Sequence, residues 1–264
     1  MSMDFGLSGS TAIVTGAASG IGHAVSALLA QQGAIVISVD RDVASDPDSM
    51  VASRITGDVA DPDVASTAVG AALEATGRVD LLVNCAGIVD QREGFLCYDT
   101  NDWRKIWNVN VLGYVNMSRA VLPVMLKQEA GTLVHLGSVR SKLPVPSQVV
   151  YATTKAAVTS LSKSLALEFG SAGLRSNVVS PGAVRTAIWD REGGLADMYA
   201  DRHGLPRDEA IQHELTVVRK IPAGRPATVE EIAAAVAFLA SPLLSGYTNG
   251  SDLVVDGAMI PSIV

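Results

Sequence analysis

Residues 11–22 read TAIVTGAASGIG, a short β-branched run followed by glycines at 16, 20 and 22. This order predicts a strand, a glycine-rich turn and a helix that starts at the turn. Glycine lets the backbone approach an anion closely, and the N-terminus of the following helix directs N–H groups and a positive dipole at the same point. A tight turn with no ligand needs glycine as well, so the turn alone decides nothing. The next strand, AIVISVD (34–40), ends in Asp40, eighteen residues beyond Gly22. A carboxylate placed there can accept hydrogen bonds from both hydroxyls of an adenosine ribose, and turn and acid together point to a dinucleotide site.

Outward from this unit, strand and helix keep alternating. AVSALLAQQG (24–33) reads as a helix, VASTAVGAALEAT (64–76) as the next and VDLLVN (79–84) as a strand. A long helix from Asp102 to about Gln128 precedes the strand TLVHLGS (132–138), a helix over 150–169 and the strand SNVVS (176–180). A helix over 229–239 and the strand DLVVD (252–256) complete the series. Near-continuous apolar strands separated by helices predict an α/β fold, a doubly wound parallel β-sheet with helices on both faces. The 264 residues, 48% hydrophobic and 18% charged, fit one domain spanning 1–264. The segment from about 183 to 222 breaks the rhythm with charges, glycines and prolines, and reads as a substrate lid.

A formal charge of −7 argues against nucleic acid or an anionic membrane as partner. Cys85 and Cys97 are the only cysteines, too few for a disulfide framework and without the clustered spacing of a metal site. The expectation is a cytoplasmic protein with no metal, since no apolar run reaches about twenty residues.

A second stretch carries the chemistry. VVYATTKAAV (149–158) puts Tyr151 and Lys155 four residues apart, on one face of a helix. A free phenol titrates at about pH 10, and a nearby ammonium favours its phenolate. In isolation such a pair is ordinarily a packed ring and a solvated charge. Ser138, just past a strand and thirteen residues upstream, turns the pair into a candidate acid/base group with a donor for developing negative charge.

TGAASGIG (15–22), NCAG (84–87), YATTK (151–155) and SPGAVRT (180–186), in this order, resemble the short-chain dehydrogenase/reductase family over about residues 8–257. The resemblance implies a Rossmann-like fold in which Ser138, Tyr151 and Lys155 are catalytic, with Asn110 of NVNVLG completing a proton relay. It implies that Gly16, Ser19, Gly20, Ile21 and Gly22 hold the diphosphate and that Asp58 and Val59 meet the adenine edge. Asn84, Ala86 and Gly87 would wall the cofactor, and Pro181, Gly182, Val184 and Thr186 would border the nicotinamide, whose ribose Tyr151 and Lys155 also hold. From its residue type alone, Asn110 serves equally well as a brace for a helix irregularity. Cys85, the two threonines of YATTK and the ending VDGAM depart from the usual family patterns without removing a catalytic group.

Asp40 favours NAD, because a carboxylate repels the 2′-phosphate of NADP, although the adjacent Arg41 can grip that phosphate. Substrate contacts are expected in IVDQREGF (88–95), VRSKLPVPSQ (139–148) and the lid, with Phe95, Trp189, Met198 and Tyr199 as apolar lining. Arg92, Arg140, Lys142 and Arg185 either converge on an anionic group or pair with neighbours such as Asp90 and Glu93. The leading function is NAD-dependent interconversion of a secondary alcohol and its ketone. A 3-oxoacyl-thioester reductase and a non-catalytic dinucleotide-binding regulator are the alternatives. The resemblance further implies a homotetramer or homodimer.

Overall fold

The computed structural model describes residues 4–42 and 51–262. Successive side chains of a strand face opposite sides, and in β1 (Thr11–Thr15) both sides are apolar. Ala12 and Val14 enter one core cluster and Ile13 the other, so the strand lies in the middle of a sheet covered on both faces. Around it run β2 (Ile35–Asp40), β3 (Ser53–Thr56), β4 (Leu81–Asn84), β5 (Gly131–Leu136), β6 (Leu174–Pro181) and β7 (Asp252–Val255). The sheet order is β3-β2-β1-β4-β5-β6-β7, and every pairing is parallel.

The helices are α1 (Gly20–Gln31), α2 (Pro62–Thr76), α3 (Thr100–Trp107), α4 (Gly113–Gln128), α5 (Val149–Phe169), α6 (Ala187–Asp190), α7 (Leu195–His203), α8 (Arg207–His213), α9 (Val229–Ala240) and α10 (Pro242–Ser245). Val25 and Leu29 of α1 pack with Ile232 and Val236 of α9 on one face of the sheet. Ala68 and Val69 of α2 pack with Met117, Val121 and Met125 of α4 on the other. Termini are set locally: Asp61 accepts the Asp63 N–H at 3.0 Å before Pro62, and Gly77 ends α2 in the left-handed region at φ 75°. Thr228 and Glu231 form a reciprocal capping pair that starts α9.

The register matters most for function. Thr15 lies opposite Val39 on one side and Asn84 on the other, so the C-terminal ends of β1, β2 and β4 meet at one edge. The strand order reverses between β1 and β4, and the crevice beyond such a reversal is where ligands bind in sheets of this kind.

Three features differ from the sequence expectation. The edge strand β3 has no counterpart in it; SRIT is four residues long and only half-buried, so it lacks the apolar run of its neighbours. The long helix expected from Asp102 is two helices joined by a π-turn over Asn108–Leu112, in which the Gly113 N–H reaches Asn108 O. Gly113 is required there, since a Cβ would lie 2.5 Å from Val59 Cγ2. The combined stretch Thr100–Gln128 is long and apolar enough to cross a membrane by length and composition, and half of its apolar window is buried in this fold. The segment expected as a lid carries α6, α7, α8 and a second π-turn (Glu214–Val218) around its own small core of Trp189, Tyr199, Ile211 and Leu215.

Candidate active site

The strand ends enclose a cleft of about 470 Å³. Its first wall is the turn after β1. Gly16 has φ +69°, outside the range of most side chains, and accepts no Cβ because Ala86 N would lie 2.8 Å away. A Cβ on Gly22 would lie 2.1 Å from Gly16 O, so α1 can start against the turn only with glycine there. The Thr15 hydroxyl accepts the N–H groups of Cys85 and Ala86 at 3.0 and 3.1 Å and ties the turn to the end of β4. Asp40 braces the same turn, accepting the Ala18 N–H at 2.8 Å and the Asp42 N–H at 3.0 Å, one per carboxylate oxygen. Each oxygen keeps lone pairs for a ribose.

Gly16, Ser19, Gly20, Ile21, Gly22, Asp40, Arg41, Asp58, Val59, Ala86, Gly87, Pro181, Gly182, Val184 and Thr186 all line this cleft. Asp58 is fixed by accepting the Ala60 N–H at 2.9 Å. At Gly16, Gly20 and Gly22 the first wall presents bare backbone, and a dinucleotide diphosphate fits that cradle. Asn84 is the exception among the cofactor residues and corrects the expectation. It is fully buried behind the wall, its Nδ2 3.1 Å from His135 Nδ1, while the next residue, Cys85, does line the cleft. The period of a strand explains the swap, since Asn84 is the last residue of β4 and points into the sheet. Burial keeps His135 neutral, with its pKa driven down to about 3, and holds the Cys85 thiol up at about 12.

The second wall comes from β5 and α5. At Gly137 a Cβ would meet Ser180 Oγ and Val178 Cγ1 at 2.6 Å, so β5 passes close to β6 before Ser138 turns into the cleft. Ser138 accepts the Arg140 N–H at 3.1 Å and hydrogen-bonds the Tyr151 hydroxyl. Tyr151, on the first turn of α5, lines the cleft with Ser138 and Lys155. Lys155 is buried; its Nζ donates to Leu136 O at 2.7 Å and to the Tyr114 hydroxyl at 3.3 Å, and stands 5.7 Å from the Tyr151 ring centroid. Burial lowers its pKa to about 8.

The expectation that Lys155 draws the Tyr151 pKa below the ordinary phenol value needs correction. Burial dominates and raises it, while the hydrogen bond from Ser138 and the charge of Arg140 oppose the rise. Asn110 stands behind Gly87, buried in the π-turn. Its Oδ1 accepts the Ile88 N–H at 2.8 Å, and its Nδ2 donates to Ile88 O at 2.9 Å and Thr154 Oγ1 at 3.1 Å. The side chain clamps the loop after β4 to α5.

Among the substrate candidates, Ser138, Arg140, Trp189 and Tyr199 line the cleft. Arg92, Phe95, Lys142 and Met198 do not. Arg92 pairs with Asp90 at 2.8 Å and Asp102 at 3.0 Å, and Phe95 is 60% exposed and packs edge-on against Trp103. Lys142 is paired with Asp252, and Arg185 pairs with Asp190 at 2.8 Å. Of the two alternatives for these four cations, pairing with an acid holds for Arg92, Lys142 and Arg185, and convergence on the cleft reduces to Arg140. A cation that sequence reasoning misses, Arg219, joins it in the lining, with Gln148, Leu195 and Met259. Arg219 lies in the lid segment, where strand and helix periodicity offers no way to bring it to Tyr151.

This fold and cleft have close counterparts. A family model described as enoyl-(acyl carrier protein) reductase matches residues 16–259. The chain is 34% identical to D-threitol dehydrogenase of Mycolicibacterium smegmatis, over 96% of this chain and 94% of that one. It is likewise 34% identical to the 3-oxoacyl-[acyl-carrier-protein] reductase FabG of Thermotoga maritima, over 96% and 99%. The crystal structure of L-sorbose reductase from Gluconobacter frateurii, complexed with NADPH and L-sorbose, superposes with a TM-score of 0.90 at 29% identity, covering 99% of this chain and 100% of that one. The chain belongs to the short-chain dehydrogenase/reductase family. It is an oxidoreductase of that family, whose cofactor is a nicotinamide dinucleotide.

Proposed function

We propose that this protein is an NAD-dependent dehydrogenase that interconverts a secondary alcohol and its ketone, with Tyr151 as the acid/base. The observation that carries the reading is the meeting of Ser138, Tyr151 and Lys155 in the same cleft as the glycine turn and Asp40. In oxidation Tyr151 takes the alcohol proton at its phenolic oxygen, and the Ser138 hydroxyl donates to the substrate oxygen as negative charge develops. When bound, the nicotinamide supplies the hydride acceptor and, in its oxidised form, a positive charge. Lys155, anchored on Leu136 O, holds its ammonium near the phenol and has a further donor for a ribose hydroxyl. The Ser138 hydrogen bond and the charge of Arg140 favour the phenolate against the effect of burial. Asn110 acts as a positioning residue through its grip on Ile88 and Thr154.

NAD rather than NADP is supported by Asp40, which two backbone N–H groups hold at the end of β2, while Arg41 is exposed. The same acid disfavours the 3-oxoacyl-thioester reductase reading, for which NADPH is the usual reductant. Segment 183–222 serves as the substrate lid, since Trp189, Leu195, Tyr199 and Arg219 reach the cleft from it. A cytoplasmic location belongs to the same reading, since the free cysteines Cys85 and Cys97 suit a reducing compartment. Homo-oligomer assembly is supported by apolar side chains left on outer helix faces, such as Leu167 at 79% exposure.

The test is a panel of secondary alcohols and ketones assayed with both cofactors. At least one pair is expected to turn over with NAD(H) preferred. Asp40→Ala narrows the preference by roughly 5- to 150-fold, the scale of a lost like-charge clash of about 1–3 kcal/mol. A wild-type preference for NADP would overturn the assignment of Asp40.

A further inference from the structure

Arg140 and Arg219 line the cleft beside Tyr151; the charge of Arg140 opposes the rise in the Tyr151 pKa, but neither guanidinium holds a group of the alcohol or ketone in the reaction described above. Arg140 is half-buried, and its hydrogen bonds go to neutral acceptors: Nε to Gln148 Oε1 at 3.0 Å and Nη1 to Leu143 O at 3.2 Å. Among the described residues no carboxylate pairs with it, and Nη2 has no acceptor. Arg175 also lacks a carboxylate, but both its terminal nitrogens are taken up by carbonyls and hydroxyls around the end of α9. Arg140 is different in facing a cleft with part of its donor fork unused.

Its neighbour adds to the imbalance. Arg219 donates through Nε to Glu214 Oε1 at 3.0 Å and through Nη2 to the Tyr199 hydroxyl at 2.6 Å. Glu214 is buried and shared with His203 at 3.0 Å and Arg202 at 3.6 Å. Burial and the charge of Arg219 both disfavour the protonated state of Arg140. Glu214 answers Arg219 and Arg202 together and no carboxylate pairs with Arg140, so the end of the cleft under the lid carries positive charge that its own acids do not balance. Removing a guanidinium from water without a counter-charge is costly. A negatively charged ligand group supplies what the protein does not.

We propose that Arg140 and Arg219 form an anion subsite, so that the substrate is a secondary alcohol or ketone bearing a carboxylate. The inference rests on the reading of Tyr151 and its cleft as the reaction site. The carboxylate accepts from Arg140 Nη2 in a charge-assisted hydrogen bond and is held by the field of Arg219. The one unused nitrogen of Arg140 suits a carboxylate, which needs fewer donors than the three oxygens of a phosphate.

The test uses the full-length protein with NAD(H) and a series of straight-chain hydroxy acids. The carboxylate is moved stepwise away from the secondary alcohol carbon, and each acid is paired with its methyl ester. Both kcat/KM and calorimetric binding to the enzyme–NADH complex are measured for every pair. At one spacing or more the acid is favoured roughly tenfold or better, the scale of a charged hydrogen bond. Arg140→Gln and Arg219→Gln each bring the acid-to-ester ratio toward one. Added salt lowers the ratio in the unmodified enzyme, a readout that does not depend on either variant folding. Esters turned over as well as acids at every spacing, with a salt-independent ratio, would overturn the subsite and leave the dehydrogenase reading standing. Arg140-dependent binding of an acid with no cofactor reduction would support the subsite and remove the proposed reaction. Acids neither bound nor turned over at any spacing would overturn the subsite.

Discussion

The two ends of the cleft are built from different materials. The end at β1 and β2 is backbone: the turn holding Gly16 and Gly22, fixed by the Thr15 hydroxyl and the Asp40 carboxylate. The end under the lid is side chains: Trp189, Tyr199 and Arg219, held by a small apolar cluster and by buried Glu214. The cradle tolerates almost no change at Gly16 and Gly22, because a Cβ there would sit 2.8 Å from Ala86 N or 2.1 Å from Gly16 O. A side-chain wall can be rebuilt residue by residue, which lets related proteins keep one cofactor grip and change substrate.

Substitutions at the two ends should separate in size. The largest effect is expected at Gly22→Ala, where the new methyl would sit 2.1 Å from Gly16 O. The turn must move, and NADH affinity should fall tenfold or more, with a stability loss of roughly 2–4 kcal/mol. Calorimetric titration and thermal melting read both. An intact NADH affinity in this variant would mean that the turn is not the cradle.

The lid should respond less, and with a different pH dependence. Burial works to raise the Glu214 pKa, but hydrogen bonds from His203 and Arg219 and the charges of Arg219 and Arg202 override it and hold it below the ordinary carboxylate value. A carboxylate lowered on folding contributes stability above its unfolded pKa and loses it as pH falls through the folded one. Glu214→Gln should therefore lower Tm near neutrality, by an amount equivalent to roughly 1–3 kcal/mol. The gap to wild type should close on acidification below the ordinary carboxylate range. A gap that stays constant with pH would show that the carboxylate charge is not what holds the lid.

The smallest effect runs the other way and isolates glycine chemistry from the cradle. Gly70 sits exposed within α2, and a methyl added there would meet nothing within 4 Å. Gly70→Ala should stabilise by about 0.5–1 kcal/mol through helix propensity and leave NADH binding alone. Destabilisation there would break the contrast between constrained and unconstrained glycines.

What can be read in the sequence follows the same division. The order of strands and helices, the turn at Gly16–Gly22 and the acid at Asp40 are local patterns, carried by glycine spacing and apolar period. So is the face shared by Tyr151 and Lys155. The edge strand β3 is hidden because an edge needs no apolar run, and the π-turn at Asn108–Leu112 because one inserted residue leaves the helical pattern nearly intact. Asn84 departs from its expected role because its motif neighbours line the cleft while strand alternation turns its own side chain inward to His135. The cations depart for a different reason. Lys142 finds Asp252, 110 positions away in the chain, and Arg219 arrives from a segment whose folding depends on Trp189, Tyr199 and Leu215 packing together. Neither pairing leaves a trace in local spacing. The Tyr151 proton affinity escapes a reading of the sequence because burial, which a sequence does not display, outweighs the Ser138 hydrogen bond and the Arg140 charge.

The central claim is that one phenolic oxygen, at Tyr151, moves the proton in a cleft that binds the cofactor independently of it. The most direct measurement compares wild type with Tyr151→Phe for NADH affinity and for kcat on the best alcohol of the panel. The account predicts NADH binding within about twofold of wild type and kcat reduced by roughly 10²–10⁴, the range for loss of a general acid/base. Near-normal kcat in Tyr151→Phe would contradict it.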